Sequence, residues 1–284
     1  MIFIKQIDDK YYTCRYDRAF KEVMLKEENK DILKSLLESI LKVEIEEIEI
    51  KNQERNTGSL NVKRKHLDAL LKTNVGEIEI EVNSSDKSYV HPRNMAYLCD
   101  IYSHHTLVGQ NYRENTLFIQ INLSYGLKDN KLNRCYKLMD EEGKNFVKNF
   151  IIYEFNMDRY KKFWYTKDKE KIEDNKYLIM LDLLPSDLLS LSKDDKVVSK
   201  YMEELDRVNE DYEFKEYMSA EEDARKIRNS EILESYEDGI EKGIEKGSLD
   251  KTKEIALSML KDNIDIETIA KHTNLTVDEI NNLK

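Results

Sequence analysis

The sequence predicts an α/β fold, a sheet with helices packed on it, followed by an all-helical tail. Three observations carry this expectation. Residues 77–83 alternate strictly, with Ile78, Ile80 and Val82 set against Glu77, Glu79, Glu81 and Asn83, which is the period of a strand. Amphipathic helical patterns lie before and after it, near residues 16–25, 31–41 and 93–107. From about Lys193 the composition turns charge-dense and helix-forming, without proline.

In chain order, Phe20, Val23 and Met24 share one face of a first helix, and Ile32, Leu33, Leu36, Leu37, Ile40 and Leu41 give a second. Asp17 at the start of the first helix reads as an N-cap. Val43 to Lys51 reads as a strand with a bulge at Glu46-Glu47, and Asn56 to Asn61 as a polar loop containing Gly58. A β-hairpin follows: one arm centres on His66 to Leu71, Thr73-Asn74-Val75-Gly76 turns, and residues 77–83 return. Pro92 suits the first turn of the next helix. Gly109 to Tyr112 turns into a strand over residues 116–123, and residues 150–155 and 177–183 supply two more. The expected organisation is a sheet domain over 1–191, a charged helical extension or linker over 192–248, and a small helix-turn-helix-like segment over 249–284.

Composition narrows the class. The chain has 284 residues, 36% of them charged, and a net charge of −11, which argues against a generic nucleic-acid binder but leaves an enzyme acting on nucleic acid open. No apolar run reaches the length of a membrane span, and the start has neither the apolar core nor the cleavage site of a signal peptide. Cys14, Cys99 and Cys135 are odd in number and scattered, so a reducing cytoplasm is expected and a zinc site is not. The adjacent His104 and His105 point apart on a helix and make a poor ligand pair.

The hairpin raises the chemical question. Asp68 on one arm can place its carboxylate beside Glu81 on the other, and two such groups repel unless protonated or bridged by a hard cation. The plain alternative is that the acidic stripe is the wet face of an antiparallel sheet. The stretch from Lys63 to Asn83, KRKHLDALLKTNVGEIEIEVN, resembles the D…(E/Q)xK core of the PD-(D/E)XK nuclease superfamily, and within it the Rpn-type, nuclease-family transposase branch. Asp17, Phe20 and Lys21 resemble that branch's DxxFK signature, and Arg93 with Tyr97 its R-x-x-x-Y pattern. The resemblance implies a restriction-endonuclease-like mixed sheet with flanking helices. It implies that Asp68 and Glu81 hold Mg²⁺, with Mn²⁺ able to substitute, that the Val82 carbonyl is a further ligand, and that Asp17 adds an acid. Asn83 falls where the superfamily has Lys and this branch has Gln. Lys65 and Arg93 are candidate phosphate contacts.

The function so implied is metal-dependent phosphodiester hydrolysis, with DNA as substrate, linked to recombination and mobile elements. The alternative is a catalytically inactive nuclease fold kept for oligomerisation or DNA tethering. In the tail, Gly239, Gly243 and Gly247 recur every four residues, as in a bendable linker or a close helix contact that would support a homo-oligomer. The final segment resembles a minimal helix-turn-helix, with Thr276 and Glu279 at capping-box spacing. Its last helix offers Asp278, Glu279, Asn281 and Asn282, which suits packing better than reading DNA.

Overall fold

The computed structural model describes residues 10–51, 54–55, 65–105 and 116–283, with the backbone alone at 54–55, 65–66 and 104–105. The polar loop around Gly58, Lys63, Arg64, the Lys65 side chain, the His104 and His105 rings and the turn at Gly109 to Tyr112 lie outside the described residues. Helices α1 (Asp17–Met24) and α2 (Lys30–Leu41) open the first compact unit, burying Phe20, Val23 and Met24, and Ile32, Leu33, Leu36 and Leu37. The strands are β1 (Ile48–Ile50), β2 (Glu54–Arg55), β3 (Lys65–His66), β4 (Ala69–Thr73), β5 (Glu77–Asn83), β6 (Phe118–Ser124), β7 (Asn133–Lys137) and β8 (Phe150–Asn156). Helix α3 (Val90–His105) crosses between β5 and β6.

Six strands form one mixed sheet in the order β1-β4-β5-β6-β8-β7. The central pairs β5–β6 and β6–β8 are parallel, while β1–β4, β4–β5 and β7–β8 are antiparallel. A parallel pair needs a crossover, and α3 provides it. This is the restriction-endonuclease-like sheet with flanking helices that the resemblance implies. Its centre is buried on both faces: every residue of β6 and all but the first of β5 are out of solvent. The stripe of Glu79, Glu81 and Asn83 is therefore not a wet face.

The face toward α3 is divided along the strands. Near their starts Leu70 and Phe118 pack with Leu98 and Ile101 of α3. Near their ends stand Glu81, Asn83, Asn122, Ser124 and Glu154, beneath the first turns of α3. The hairpin turn fixes this register. Thr73 Oγ1 accepts from the Val75 and Gly76 amides, and the Thr73 amide donates to Gly76 O at 2.9 Å. Gly76 has φ +153°, and a Cβ there would sit 2.1 Å from the Leu117 carbonyl oxygen.

Several sequence expectations are corrected. Residues 177–183 are not a strand: they end α5 (Lys169–Ile179), which follows α4 (Met157–Tyr165), and continue as a 3₁₀ turn at Met180–Asp182. A short, continuously apolar run does not distinguish a buried helix end from a buried strand, and Leu178 to Leu183 is buried throughout. The first strand is shorter than residues 43–51, and β7 was not expected because its sequence, NRCYK, is almost entirely polar or exposed at the sheet edge. Tyr16, not Asp17, is the N-cap of α1. The first compact unit also runs past residue 191 to Lys215. Beyond α6 (Pro185–Leu191), helix α7 (Lys196–Glu210), capped by Asp195, packs on α1 and α2 and buries Val198, Tyr201 and Leu205. Asn209 pairs with both backbone groups of Tyr12, at 2.7 and 2.9 Å.

The second unit spans Glu216–Lys284. It holds most of helix α8 (Tyr212–Lys261), then α9 (Ile266–Thr273) and α10 (Val277–Asn281). Ala256, Ile269, Leu275 and Ile280 form its small core, and the Thr276–Glu279 capping box is made in full. No helix among the described residues is long and apolar enough to cross a membrane. All three cysteines are free, with Cys14 buried and Cys99 and Cys135 exposed.

Candidate active site

The β4–β5 ladder ends at the pair Ala69–Ile80, and one step further Asp68 stands across from Glu81. There side chains replace the ladder. The Asp68 amide donates to Glu81 Oε1 at 3.3 Å, and the Val82 amide donates to Asp68 Oδ2 at 2.9 Å. The amide and carbonyl of one strand residue project to the same side, so the Val82 carbonyl shares the Asp68 edge.

Both carboxylates are withdrawn from water, Asp68 to 7% and Glu81 to 2% exposure. Burial raises the Asp68 carboxyl above its ordinary value; Lys21 opposes the rise and Asp17 adds to it. Burial pushes Glu81 well above the usual range, the Asp68 and Glu79 carboxylates push it further, and Arg93 offsets part of this. The Asp68 carboxylate thus makes Glu81 harder to ionise.

Among the described residues two cations reach the pair. Lys21 extends from α1, which packs against β5, and its Nζ lies 2.9 Å from Asp68 Oδ1. Burial disfavours this ammonium, but Asp68, Asp17 and Glu81 together hold its pKa above the ordinary lysine value. Arg93, in the first turns of α3, donates from Nη2 to Asn83 Oδ1 at 2.7 Å and stands 3.5 Å from Glu81 Oε2. Its Nε is fixed by Asn94 Oδ1 at 3.0 Å.

Asn83 lies on the Glu81 face of β5, as the alternation requires, and both ends of its amide are engaged. Oδ1 accepts from Arg93 and from Asn94 Nδ2, and Nδ2 donates to Ser124 Oγ at 3.2 Å. The network continues sideways. Asn94 donates to Asn122, Gln120 donates to Glu79, and Ser124 donates to Glu154, whose Oε1 lies 2.7 Å from His91 Nε2.

The structure therefore brings together Asp68, Glu81, Val82, Asn83 and Arg93. Asp17, the first residue of α1, is half-exposed and meets the site through Lys21, 3.9 Å away, rather than at the two acids. Sequence reasoning gave no role to Lys21 or to the band formed by Glu79, Asn94, Gln120, Asn122, Ser124 and Glu154. A signal for the band was present: Gln120, Asn122 and Ser124 alternate along β6 with the period of Glu79, Glu81 and Asn83 on β5.

Among the described residues no group of three or more His, Cys, Asp or Glu gathers as a metal cluster. The donors at this site are two carboxylates and one backbone carbonyl, all hard oxygens of the kind that suits Mg²⁺ or Mn²⁺. A dication there would also offset the burial that raises both carboxyls and the Asp68 charge that raises Glu81, so the donor set fits. A family model described as PD-(D/E)XK nuclease family transposase matches residues 14–235. Comparison with curated proteins and with solved structures finds no match.

Proposed function

Because the chain belongs to the PD-(D/E)XK nuclease family transposases, we propose that it is a divalent-metal-dependent DNA endonuclease acting in recombination or the movement of mobile elements. The observation that carries the reading is the facing pair Asp68 and Glu81, two buried carboxyls both raised in pKa just past the end of the hairpin ladder. Asp68, Glu81 and the Val82 carbonyl would hold Mg²⁺ or Mn²⁺. The bound ion supplies Lewis-acid polarisation of the phosphate and a water of lowered pKa. The protein's own part is positioning. Asp68 is held by the Val82 amide and Glu81 by the Asp68 amide, so both arrive preorganised. Arg93, pinned by Asn83 and Asn94 and about one-third exposed, is placed to meet a phosphate oxygen.

The test is cleavage of plasmid, linear and single-stranded DNA with and without Mg²⁺. Asp68→Ala and Glu81→Ala should each abolish cleavage and leave a folded protein. Wild-type rates in both variants would remove the assignment.

One observation favours a second reading, an inactive nuclease fold used for tethering or assembly: the amide of Asn83 is consumed by internal hydrogen bonds, leaving no charge at that position. A Mg²⁺-dependent rise in melting temperature separates the two, since only a site that binds metal gains stability from it. For the tail we propose self-association along α8, where Tyr236, Ile240 and Ile244 are exposed at four-residue spacing beside Gly239 and Gly243. Three free cysteines support a reducing, cytoplasmic setting.

A further inference from the structure

We propose that Lys21, delivered from helix α1, is the catalytic cation of this site and takes over the charge that Asn83 lacks. The proposal rests on reading Asp68 and Glu81 as a nuclease centre. Three observations converge on it. First, the ammonium touches the acid directly, with Nζ 2.9 Å from Asp68 Oδ1 and the side chain only 23% exposed. Second, Asn83 adds no charge and has no free amide atom, since Arg93, Asn94 and Ser124 use both ends. Arg93 is tied to the same asparagine and stands 3.5 Å from Glu81, so among the described residues Lys21 is the cation on the Asp68 side. Third, its neighbour Phe20, with Ala19, Val23 and Met24, is fully buried, so α1 is anchored in the core and the lysine is aimed from a rigid base.

A purely structural ion pair explains this geometry less well. Asp68 Oδ2 already accepts from the Val82 amide. Anchoring Asp68 therefore does not require Lys21, and ordering a long side chain against a buried acid costs entropy as well as desolvation.

In the reaction, a water oxygen bonds to phosphorus while the P–O3′ bond breaks. The water proton passes to solvent, and the departing oxygen takes a proton from solvent, so atoms and charge balance without another reagent. Lys21 transfers no proton in this step. Its ammonium donates hydrogen bonds to the attacking water and to a non-bridging phosphate oxygen, where charge accumulates.

The test uses the full chain with Lys21→Ala, Lys21→Arg and the double variant Lys21→Ala/Asn83→Lys. Three readouts are taken: single-turnover cleavage in Mg²⁺, DNA binding in Ca²⁺, and a Mg²⁺ titration of melting temperature. Lys21→Ala should lose about 10²-fold or more in single-turnover rate, while DNA binding is retained and apparent Mg²⁺ affinity is no weaker, because a competitor for Asp68 has gone. Lys21→Arg should keep part of the rate, and placing lysine at position 83 should recover part of what Lys21→Ala loses. If wild type cleaves and Lys21→Ala cleaves as fast, Lys21 is not the catalytic cation and the nuclease reading stands. Loss of rate together with Mg²⁺ affinity and melting temperature, with no recovery from lysine at position 83, also overturns the proposal by showing a structural role. If wild type cleaves nothing with any divalent ion, the nuclease reading fails and takes this proposal with it.

Discussion

At Glu81 charge and folding pull against each other. Its carboxyl is held well above the usual range by burial, by Asp68 and by Glu79, so the folded protein binds this proton more tightly than the unfolded chain. The stabilising contribution is therefore complete below the unfolded value of about 4.3 and is lost as pH rises through the raised folded value. Asp68 is shifted in the same direction and acts with the same sign. In chelator, Glu81→Gln should melt higher than wild type at neutral pH, and the difference should shrink on acidification toward pH 4. Melting curves across pH with EDTA read this, and Mg²⁺ should raise the wild type more than the variant. Asn83 makes a second prediction. Truncation to alanine strips an acceptor from Arg93 and Asn94 and a donor from Ser124, a loss of about 1–3 kcal/mol. Asn83→Ala should therefore lower the denaturation midpoint whether or not the protein is cutting DNA. From the sequence, Asn83 and Glu81 were legible as neighbours on one face, because alternation is local information. Their common burial was not, since it depends on α3 returning over the sheet with Arg93 and Asn94.

Among elements, the β4–β5 hairpin was the most legible, because an alternating strand and a threonine–glycine turn both declare themselves within a few residues. The turn also makes the sharpest element-level prediction. Gly76 holds φ +153°, and the next amide, Glu77 N, donates to Leu117 O at 2.8 Å. A Cβ at position 76 would lie 2.1 Å from that same oxygen, so the backbone cannot swing away without giving up the bond that starts the β5–β6 pairing. Gly76→Ala should cost about 1–3 kcal/mol, read by urea denaturation. Since Asp68 and Glu81 face each other only in the correct register, cleavage should fall as well. The misread elements failed for an equally physical reason. Tyr177 to Leu183 has the composition of a buried strand, and only the structure shows it to be the end of α5 and the 3₁₀ turn that follows. The edge strand β7 carries no apolar pattern because its outer side meets solvent.

At the scale of the whole molecule, the sequence boundary was drawn where composition changes, near residue 191, but cohesion does not follow composition. Helix α7 is charged on its outer face, which is what makes residues 196–210 look like a linker, yet Val198, Tyr201, Leu205 and Val208 are all buried. Its last turn closes onto the chain's beginning: the Tyr12 amide donates to Asn209 Oδ1 at 2.7 Å, and Asn209 Nδ2 donates to the Tyr12 carbonyl at 2.9 Å. Tyr11 adds a hydrogen bond to Asp206 at 2.6 Å, and the Tyr12 ring meets Tyr16 edge-on just before α1. Since α1 carries Lys21 toward Asp68, these contacts tie the stability of α7 to the shape of the site. A chain cut after residue 191 would leave the apolar groups of α1 and α2 that α7 covers in water, and the Tyr12 amide and carbonyl without their partner. It should unfold at lower urea, with a broadened transition, and should lose Mg²⁺-dependent stabilisation. A chain cut after residue 215 keeps α7 and should retain both a single steep transition and the response to Mg²⁺. Urea melts of the two truncations with and without Mg²⁺ decide the matter, and a cooperative, metal-responsive 1–191 fragment would return the boundary to where the composition changes.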